Sequence, residues 1–350
     1  MKVLTIEEAD EWNEIVKSFK QWDVYYLCEY AKSLQLHGDG VPLLFYVEYG
    51  NRRLCYVAMK VDIAQSSVLK QCLPENQYFD MKVPYGYGGA LVSEEWDENA
   101  NMQFEIEWNE YCKTNKIVSQ FFRFHPLMGN YNSLGSIVEY KYLKDTIYID
   151  TSDKDIVVRN MDTKNRNMVR KAQKVGVSIF KDRGENLTEF IQIYNETMDR
   201  TKALDYYYFD RNYFMYLINT MKQNIIFFYA MLDGEIIASA MFFYNERYMH
   251  YHLSGAKTKY MKMAPTNLLL YEAAIWAADR GIEKLHLGGG VESEDSLFQF
   301  KKKFNKNGRC KFWIGKKVFD QNAYDKLLRL RKEMDPSFDI QNSFMIQYRR

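Results

Sequence analysis

The chain has 350 residues, with 47 Lys plus Arg against 46 Asp plus Glu and a net charge of +1. That balance excludes a globally basic, DNA-coating protein and an acidic disordered tail, and the length predicts two domains. Hydrophobic residues make up 47% and aromatics 16%, with 28 Tyr, 22 Phe and 6 Trp against only 6 Pro. Such a composition excludes disorder and predicts aromatic-rich sheets with a polar, ring-lined groove, because Tyr buries a ring and keeps a hydroxyl available.

The first elements alternate helix and hairpin. Ile6 to Phe19 reads as a short amphipathic helix, and Leu27 to Leu36 as a second, ended by His37-Gly38-Asp39-Gly40. Alternation and the Gly50-Asn51 turn predict a β-hairpin from 43–49 and 54–59. Trp96 to Thr114 reads as a helix, and 117–124 as a strand ended by Pro126. A strand at 146–149 precedes a polar boundary at 150–155. The second half repeats the order: a hairpin from 225–232 and 236–244 around Asp233-Gly234, then a strand over 248–254. Pro265 opens a strongly apolar helix that runs to Ala278, with Gly281 as its left-handed cap, and a strand over 282–287 leads into Gly288-Gly289-Gly290. Hairpin, helix and strand therefore occur twice, with an insertion in the first copy around Pro84 to Gly89. A further helix is expected at 321–334.

Five cysteines (Cys28, Cys55, Cys72, Cys112 and Cys310) form no C-x-x-C pair and predict reduced thiols in a cytoplasmic protein. The N-terminus reaches Glu7 and Glu8 before any apolar run, so no signal peptide is expected. No stretch is long and apolar enough to span a membrane either. Charge is sorted locally. Glu94 to Glu110 holds seven acids and no base, and Gln299 to Lys317 holds eight bases and no acid. Arg159 to Arg183 is a second basic stretch. Such runs are either solvated helix faces or polyanion surfaces, and the rings of Phe298, Phe300, Phe304 and Phe312 interleaved with one of them favour phosphate-bearing partners.

Three segments carry candidate chemistry. Pro84-Tyr85-Gly86-Tyr87-Gly88-Gly89 is either a tight turn or a place where backbone approaches a ligand closely. Arg123 and His125 share a face at a strand end, as do His250 and His252, and with no third ligand no metal site is expected. His286 reads as a packing residue. Gly288-Gly289-Gly290 leads into a helix start at Asp295-Ser296, read first as an N-cap. P-loop, dinucleotide and nucleophile-elbow patterns are absent, so nucleotide hydrolysis is not expected.

These segments carry a resemblance. The Pro-Tyr-Gly-Tyr-Gly-Gly and Arg-Phe-His-Pro segments and Asn165-Arg166-Asn167-Met168-Val169-Arg170-Lys171-Ala172 are three parts of it. Tyr251-His252-Leu253-Ser254-Gly255, the Pro265–Gly281 helix and the ending from the glycines through Asp295 to Phe304 complete it. Over Asp23 to Phe319 the chain resembles the FemAB-type branch of the GNAT acyltransferase superfamily. The resemblance implies an α/β fold of two duplicated GNAT-like domains, 1–150 and 151–350, each a mixed, mostly antiparallel sheet flanked by helices. No sustained heptad occurs, so the armless type without a coiled coil is implied.

Characterised FemAB-type enzymes transfer an amino acid from aminoacyl-tRNA to an amine of a peptidoglycan precursor. The resemblance implies that Lys301, paired with Phe300, stabilises the charge developing on the acyl carbonyl, with Lys302 as a substitute. Tyr251, His252 and Asp295 are candidates for the base, unless the substrate's own groups take the proton. It places Tyr85, Gly86, Tyr87, Gly88, Gly89, Arg123 and His125 at the acceptor, in the first domain, and Arg166 or Arg170 on phosphate. The donor side falls to the second domain. The implied partners are aminoacyl-tRNA and a UDP-linked or lipid-linked precursor, the latter bringing the protein to the inner membrane surface; no cofactor and no DNA are implied. Ordinary GNAT enzymes grip the CoA diphosphate with a [QR]-x-x-G-x-[GA] loop, and Gly255 to Pro265 lacks it, which weighs against acyl-CoA. Two other functions fit the residues: a CoA- or carrier-dependent N-acyltransferase acting on a nucleotide-sugar or surface polysaccharide precursor, and a catalytically silent tandem-GNAT binding protein.

Overall fold

The computed structural model describes residues 1–66, 68–70 and 72–350. In chain order the strands are β1 (Lys2–Leu4), β2 (Val41–Tyr49), β3 (Arg52–Asp62), β4 (Phe79–Lys82), β5 (Leu91–Val92), β6 (Ile117–Arg123), β7 (Glu139–Asp150), β8 (Ser178–Asp182), β9 (Ile225–Leu232), β10 (Glu235–Tyr244), β11 (Tyr248–Ala256), β12 (Lys284–Gly288) and β13 (Arg309–Val318). The α-helices are α1 (Ala9–Lys17), α2 (Cys28–Leu36), α3 (Glu98–Thr114), α4 (Lys154–Asn160), α5 (Thr163–Lys174), α6 (Leu187–Thr201), α7 (Arg211–Thr220), α8 (Pro265–Ala278), α9 (Ser296–Lys302) and α10 (Gln321–Met334).

These elements form two compact units, one made of 1–143 with 312–350 and the other of 144–311. The units are bounded differently from the division expected at 150. The physical reason is sheet completion. In the first unit the order is β1-β2-β3-β4-β6-β13, and β13 closes it by pairing Ile314–Val318 with β6. In the second the order is β8-β9-β10-β11-β12-β7, closed by residues 147–150 of β7 against β12. Each closing strand hides what would otherwise be a row of unpaired backbone groups. The strand after β6 thus completes the second sheet, and the strand after β12 completes the first. Helix α10 accordingly belongs to the first unit.

Both sheets are mixed and mostly antiparallel, and they repeat one order. A hairpin (β2-β3 or β9-β10) leads to a further antiparallel strand, then a helix (α3 or α8), then a strand parallel to its neighbour. No coiled-coil arm occurs among the described residues.

The aromatic excess fills the cores. In the first unit α3 turns Phe104, Trp108 and Cys112, four residues apart, onto Phe45, Tyr56 and Phe122 of the sheet. Phe104 and Trp108 stack at 5.1 Å and Phe45 and Tyr56 at 4.7 Å. In the second unit α8 buries Leu268, Leu269, Leu270, Ala273, Ala274, Trp276 and Ala277, so it is apolar nearly all round and sits inside the core. The acids of α3 are partly matched within the first unit: Glu105 pairs with Lys317 and Glu107 with the amino group of Met1. The basic run 299–317 is divided between the units, with 299–311 in the second and 312–317 in the first.

One tight spot holds the loop between α9 and β13. The Tyr148 amide donates to the Gly308 carbonyl (2.9 Å), and Asn305 Nδ2 donates to the Tyr148 carbonyl (3.0 Å). A Cβ at Gly308 would overlap that same Tyr148 oxygen. Gly308→Ala is expected to cost about 1–3 kcal/mol, read as a lower urea midpoint, because the Tyr148 backbone carbonyl cannot give way and the Asn305 side chain beside it is held by that same carbonyl.

Candidate acyl-transfer site

The parallel pair β11 and β12 is joined only from Tyr248–His250 to Lys284–His286. Both strands continue past that point, β11 to Ala256 and β12 to Gly288, so their edges beyond it present backbone groups the pair does not use. At the same point β12 shifts register against β7, between His286 and Gly288, and Gly288 turns to φ +73°. A side chain there would be strained, which is what the glycine is for.

The loop that follows is tied by charges. Lys301 Nζ donates to the Gly289 carbonyl at 2.7 Å. Lys144 Nζ donates to the next two carbonyls, Gly290 at 2.6 Å and Val291 at 2.8 Å. Asp295 works from the other side: its carboxylate accepts from the amides of Val291 (2.7 Å), Glu292 (3.0 Å) and, as the N-cap of α9, Phe298 (2.8 Å). Arg309 packs over the Phe298 ring and pairs with Asp145 (2.8 Å) and Glu294 (2.7 Å). Sequence reasoning missed Lys144 and Arg309, which stand on the two strands flanking the loop.

Lys301 is 8% exposed. Burial pushes its ammonium down to about 8; Asp295 opposes the shift, and Lys144 adds to it. The group is cationic at neutral pH and readily neutralised just above it. Asp295 is held below the usual carboxylate range: burial would raise it, but the backbone amides it caps outweigh that. Tyr251 is pushed up to about 12 by burial. His252 is pushed down to about 3 by burial and by neighbouring His250, so its ring is neutral.

Alternation on β11 puts Tyr251 and His252 on opposite faces. Tyr251 and Phe300 pack on the core beneath α8, where Phe300 also meets Phe304 edge-on at 5.4 Å. His252 lies on the other face beside Phe243 (4.4 Å between rings) and the Tyr213 hydroxyl (3.4 Å). His286 is buried, as a packing residue should be, and its Nε2 lies 2.9 Å from Thr146 Oγ1. Lys302 is half-buried. Arg166 is occupied, donating to the carbonyls of Val158 and Met161 and to Thr163 Oγ1, whereas Arg170 on the same helix is exposed.

The segment before α8 is not an open glycine-rich loop. It winds into a 3₁₀ turn over Thr258–Met263, and Ala264 enters the left-handed region at φ +57°. Several amides of the segment are already bonded, Tyr260 to Lys257 (3.0 Å), Ala264 to Met261 (3.1 Å) and Asn267 to Ala264 (3.1 Å). Pro265 offers none. The Glu196 carboxylate takes the Thr258 amide at 2.9 Å and puts negative charge on the spot. Lys257 is paired with Glu235.

In the first unit, the 84–89 segment is built into the sheet. Gly88 forms a parallel bridge with Phe124, donating to the Arg123 carbonyl at 2.8 Å and accepting from the His125 amide at 3.1 Å. Arg123 Nε donates to the Gly86 carbonyl (3.1 Å) and lies over the Phe312 ring, and Tyr30 donates to the Tyr85 carbonyl (2.6 Å). Gly86 and Gly89 have φ of +100° and +94°, and a Cβ on Gly86 would press into the Tyr25 ring. Tyr87 meets Tyr25, Phe312 and His125 edge-on. His125 is fully buried: the Met128 amide donates to its Nδ1 (3.3 Å), so Nε2 carries the proton and faces Asp23 at 3.4 Å. The structure thus gathers these seven first-domain candidates in one unit, with Tyr85, Tyr87 and Arg123 half-buried.

Residues 159–302 match the family model described as an acetyltransferase (GNAT) domain. No curated protein matches the chain. Among solved structures, FemX is similar at 16% identity and a TM-score of 0.65, covering 93% of this chain and 99% of that one. L-PGS from Bacillus licheniformis is similar at 14% identity and a TM-score of 0.55, covering 95% and 98%. A conserved protein of unknown function from Bacteroides thetaiotaomicron has 11% identity and a TM-score of 0.58, covering 89% and 97%. No helix of the described residues is long and apolar enough to cross a membrane. Residues 159–302 thus match an acetyltransferase (GNAT) domain, and the chain as a whole has a fold like that of FemX, with no coiled-coil arm among the described residues.

Proposed function

We propose that the protein transfers an aminoacyl group from aminoacyl-tRNA to an amine of a peptidoglycan precursor. The observation that carries this reading is the buried Lys301 ammonium on the glycine loop of a GNAT-type domain. Aminolysis of an ester puts negative charge on the carbonyl oxygen, and a fixed cation in a dry site lowers that barrier. The acceptor amine attacks the acyl carbon, the C–N bond forms, the C–O bond to the tRNA ribose breaks, and the amine's proton ends on the departing ribose oxygen.

None of the three side chains considered as a base is suited to it. Tyr251 holds its proton, His252 is too weak a base, and Asp295 is engaged by the amides it caps. The proton therefore passes within the substrates, and the protein's part is to hold the carbonyl and its charge. The partly bonded backbone before α8, with the Glu196 carboxylate on the Thr258 amide, supports a donor other than acyl-CoA. In the first unit the half-buried Tyr85, Tyr87 and Arg123 suit a sugar-phosphate acceptor, UDP-linked or lipid-linked, at the cytoplasmic side of the membrane.

Assays offering charged tRNA or acetyl-CoA to the purified protein, each with a UDP-linked precursor, test the reading. Aminoacyl transfer is expected, and acetyl transfer alone would overturn it. Lys301→Met should lower the transfer rate at least about tenfold, as loss of one oxyanion donor does, while the thermal midpoint moves less than about 4 °C. The pH profile carries a sign. Lys301 is charged below about 8, so the rate at saturating substrates should fall as pH rises through that value. A rate still rising to pH 10 would remove the ammonium from this role.

A further inference from the structure

The two basic runs meet in the second unit. The turn between α4 and α5 is hydrogen-bonded to the segment after α9: the Asp162 amide donates to the Lys303 carbonyl at 2.8 Å, and the Lys306 amide to the Asn160 carbonyl at 3.1 Å. Residues far apart in sequence therefore share one surface.

Helix α5 buries Asn165, Val169 and Ala172. Its opposite face carries Lys164, Arg170, Lys171 and Lys174, all exposed. At the start of that helix lie the exposed Lys303 and Lys306. None of these six side chains forms an ion pair or hydrogen bond among the described residues. No acid occurs from Thr163 to Gly176, and Asp162 is committed to capping α5 through the Lys164 amide at 2.7 Å. A helix of this length presents a face about 18 Å long, enough to follow several phosphates. Six uncompensated cations on it would repel one another unless a polyanion lies across them.

We infer that this surface, from α5 to the segment after α9, binds the phosphate backbone of a helical RNA, the body of the donor tRNA. The inference rests on the aminoacyl-tRNA reading above. Two features favour RNA over an anionic membrane. The exposed face within α5 is completed by Thr163, Asn167 and Gln173, and the exposed apolar side chain at its end is the single small Val175 of the C-cap, too little to anchor in a lipid interface. And Lys303 lies two residues from Lys301, so a backbone held here ends beside the acyl-transfer site. Contacts of this kind hold phosphate and carry no sequence information, so the surface would accept any tRNA body and leave the choice of amino acid to the acyl pocket.

The test uses the full chain and uncharged tRNA, with affinity measured between about 50 and 200 mM salt. Replacing Lys164, Lys171, Lys303 and Lys306 together by Ala should weaken binding at least about tenfold and flatten the log–log salt slope by about three, because each lost phosphate contact removes most of one unit. Exposed positions make a folding defect unexpected; should one occur, the double variant Lys164→Glu/Lys171→Glu reads the same slope. An unchanged slope overturns the surface. So does a variant that loses binding to phosphatidylglycerol vesicles and keeps its affinity for tRNA. Transfer by the unaltered protein judges the donor separately. If it uses charged tRNA while the variant's slope is unchanged, only the surface falls. If it uses acetyl-CoA alone, the donor reading falls, and the tRNA titration still decides whether the surface binds RNA.

Discussion

The pairing of β7 with β12 is the constraint on which the site depends. Four residues of β7 close the second sheet, and the three that precede them then stand beside the glycine loop. Lys144 grips two of its carbonyls, Asp145 anchors Arg309, and Thr146 meets His286 and the Cys310 sulfur. A loop of three successive glycines has high conformational entropy when unfolded and little of its own to hold it. Here the carbonyls are held by two ammonium groups and the amides by one carboxylate, so every strong tie is charge-assisted. Without the β7 pairing, one of those ammonium groups and the partner of Arg309 would be missing, and Lys301 would have no fixed carbonyl to rest on.

This also explains what could and could not be read from the sequence. Helix α8 was legible because Pro265 opens it and its apolar run leaves no alternative; the hairpins were legible because Gly50-Asn51 and Asp233-Gly234 punctuate strict strand patterns. The unit boundary was not, since a polar stretch at 150–155 looks like a linker while the decisive event is a pairing between residues 147–150 and 284–288. Lys144 was missed for the same reason: in sequence it is one base before a strand, with nothing to tie it to glycines far along the chain. The basic runs were visible as charge but misjudged as units, because the hydrogen bonds that join Asp162 to Lys303 and Lys306 to Asn160 are backbone bonds that any residue types could make.

The candidate residues separate by what their surroundings leave them able to do. Arg166 and His125 belong to types often found at sites, yet each is occupied within its own unit, one with helix-end carbonyls and the other with Asp23 and the Met128 amide. They position backbone: Arg166 fixes the α4–α5 turn that carries the exposed lysines, and His125 lies beside the Gly88 bridge of the Tyr-Gly segment. A chemical residue type in a motif is therefore a poorer guide than the number of its hydrogen-bonding positions still available.

Burying an ammonium is unfavourable, and a carbonyl at 2.7 Å only partly offsets the lost hydration. An apolar side chain would serve packing better at Lys301, so its presence argues for a role that needs charge. Its depressed affinity for a proton matters to that role. An ammonium that has lost its water and faces a single carbonyl still has N–H groups to donate, and a developing oxyanion offers it more than the ground-state carbonyl does. In the proposed role the interaction would thus be stronger in the transition state than before it, which is the condition for speeding the chemical step and not merely tightening binding. A well-hydrated surface lysine would gain less, since water would already supply much of that stabilisation, and burial in the glycine loop is what makes the difference.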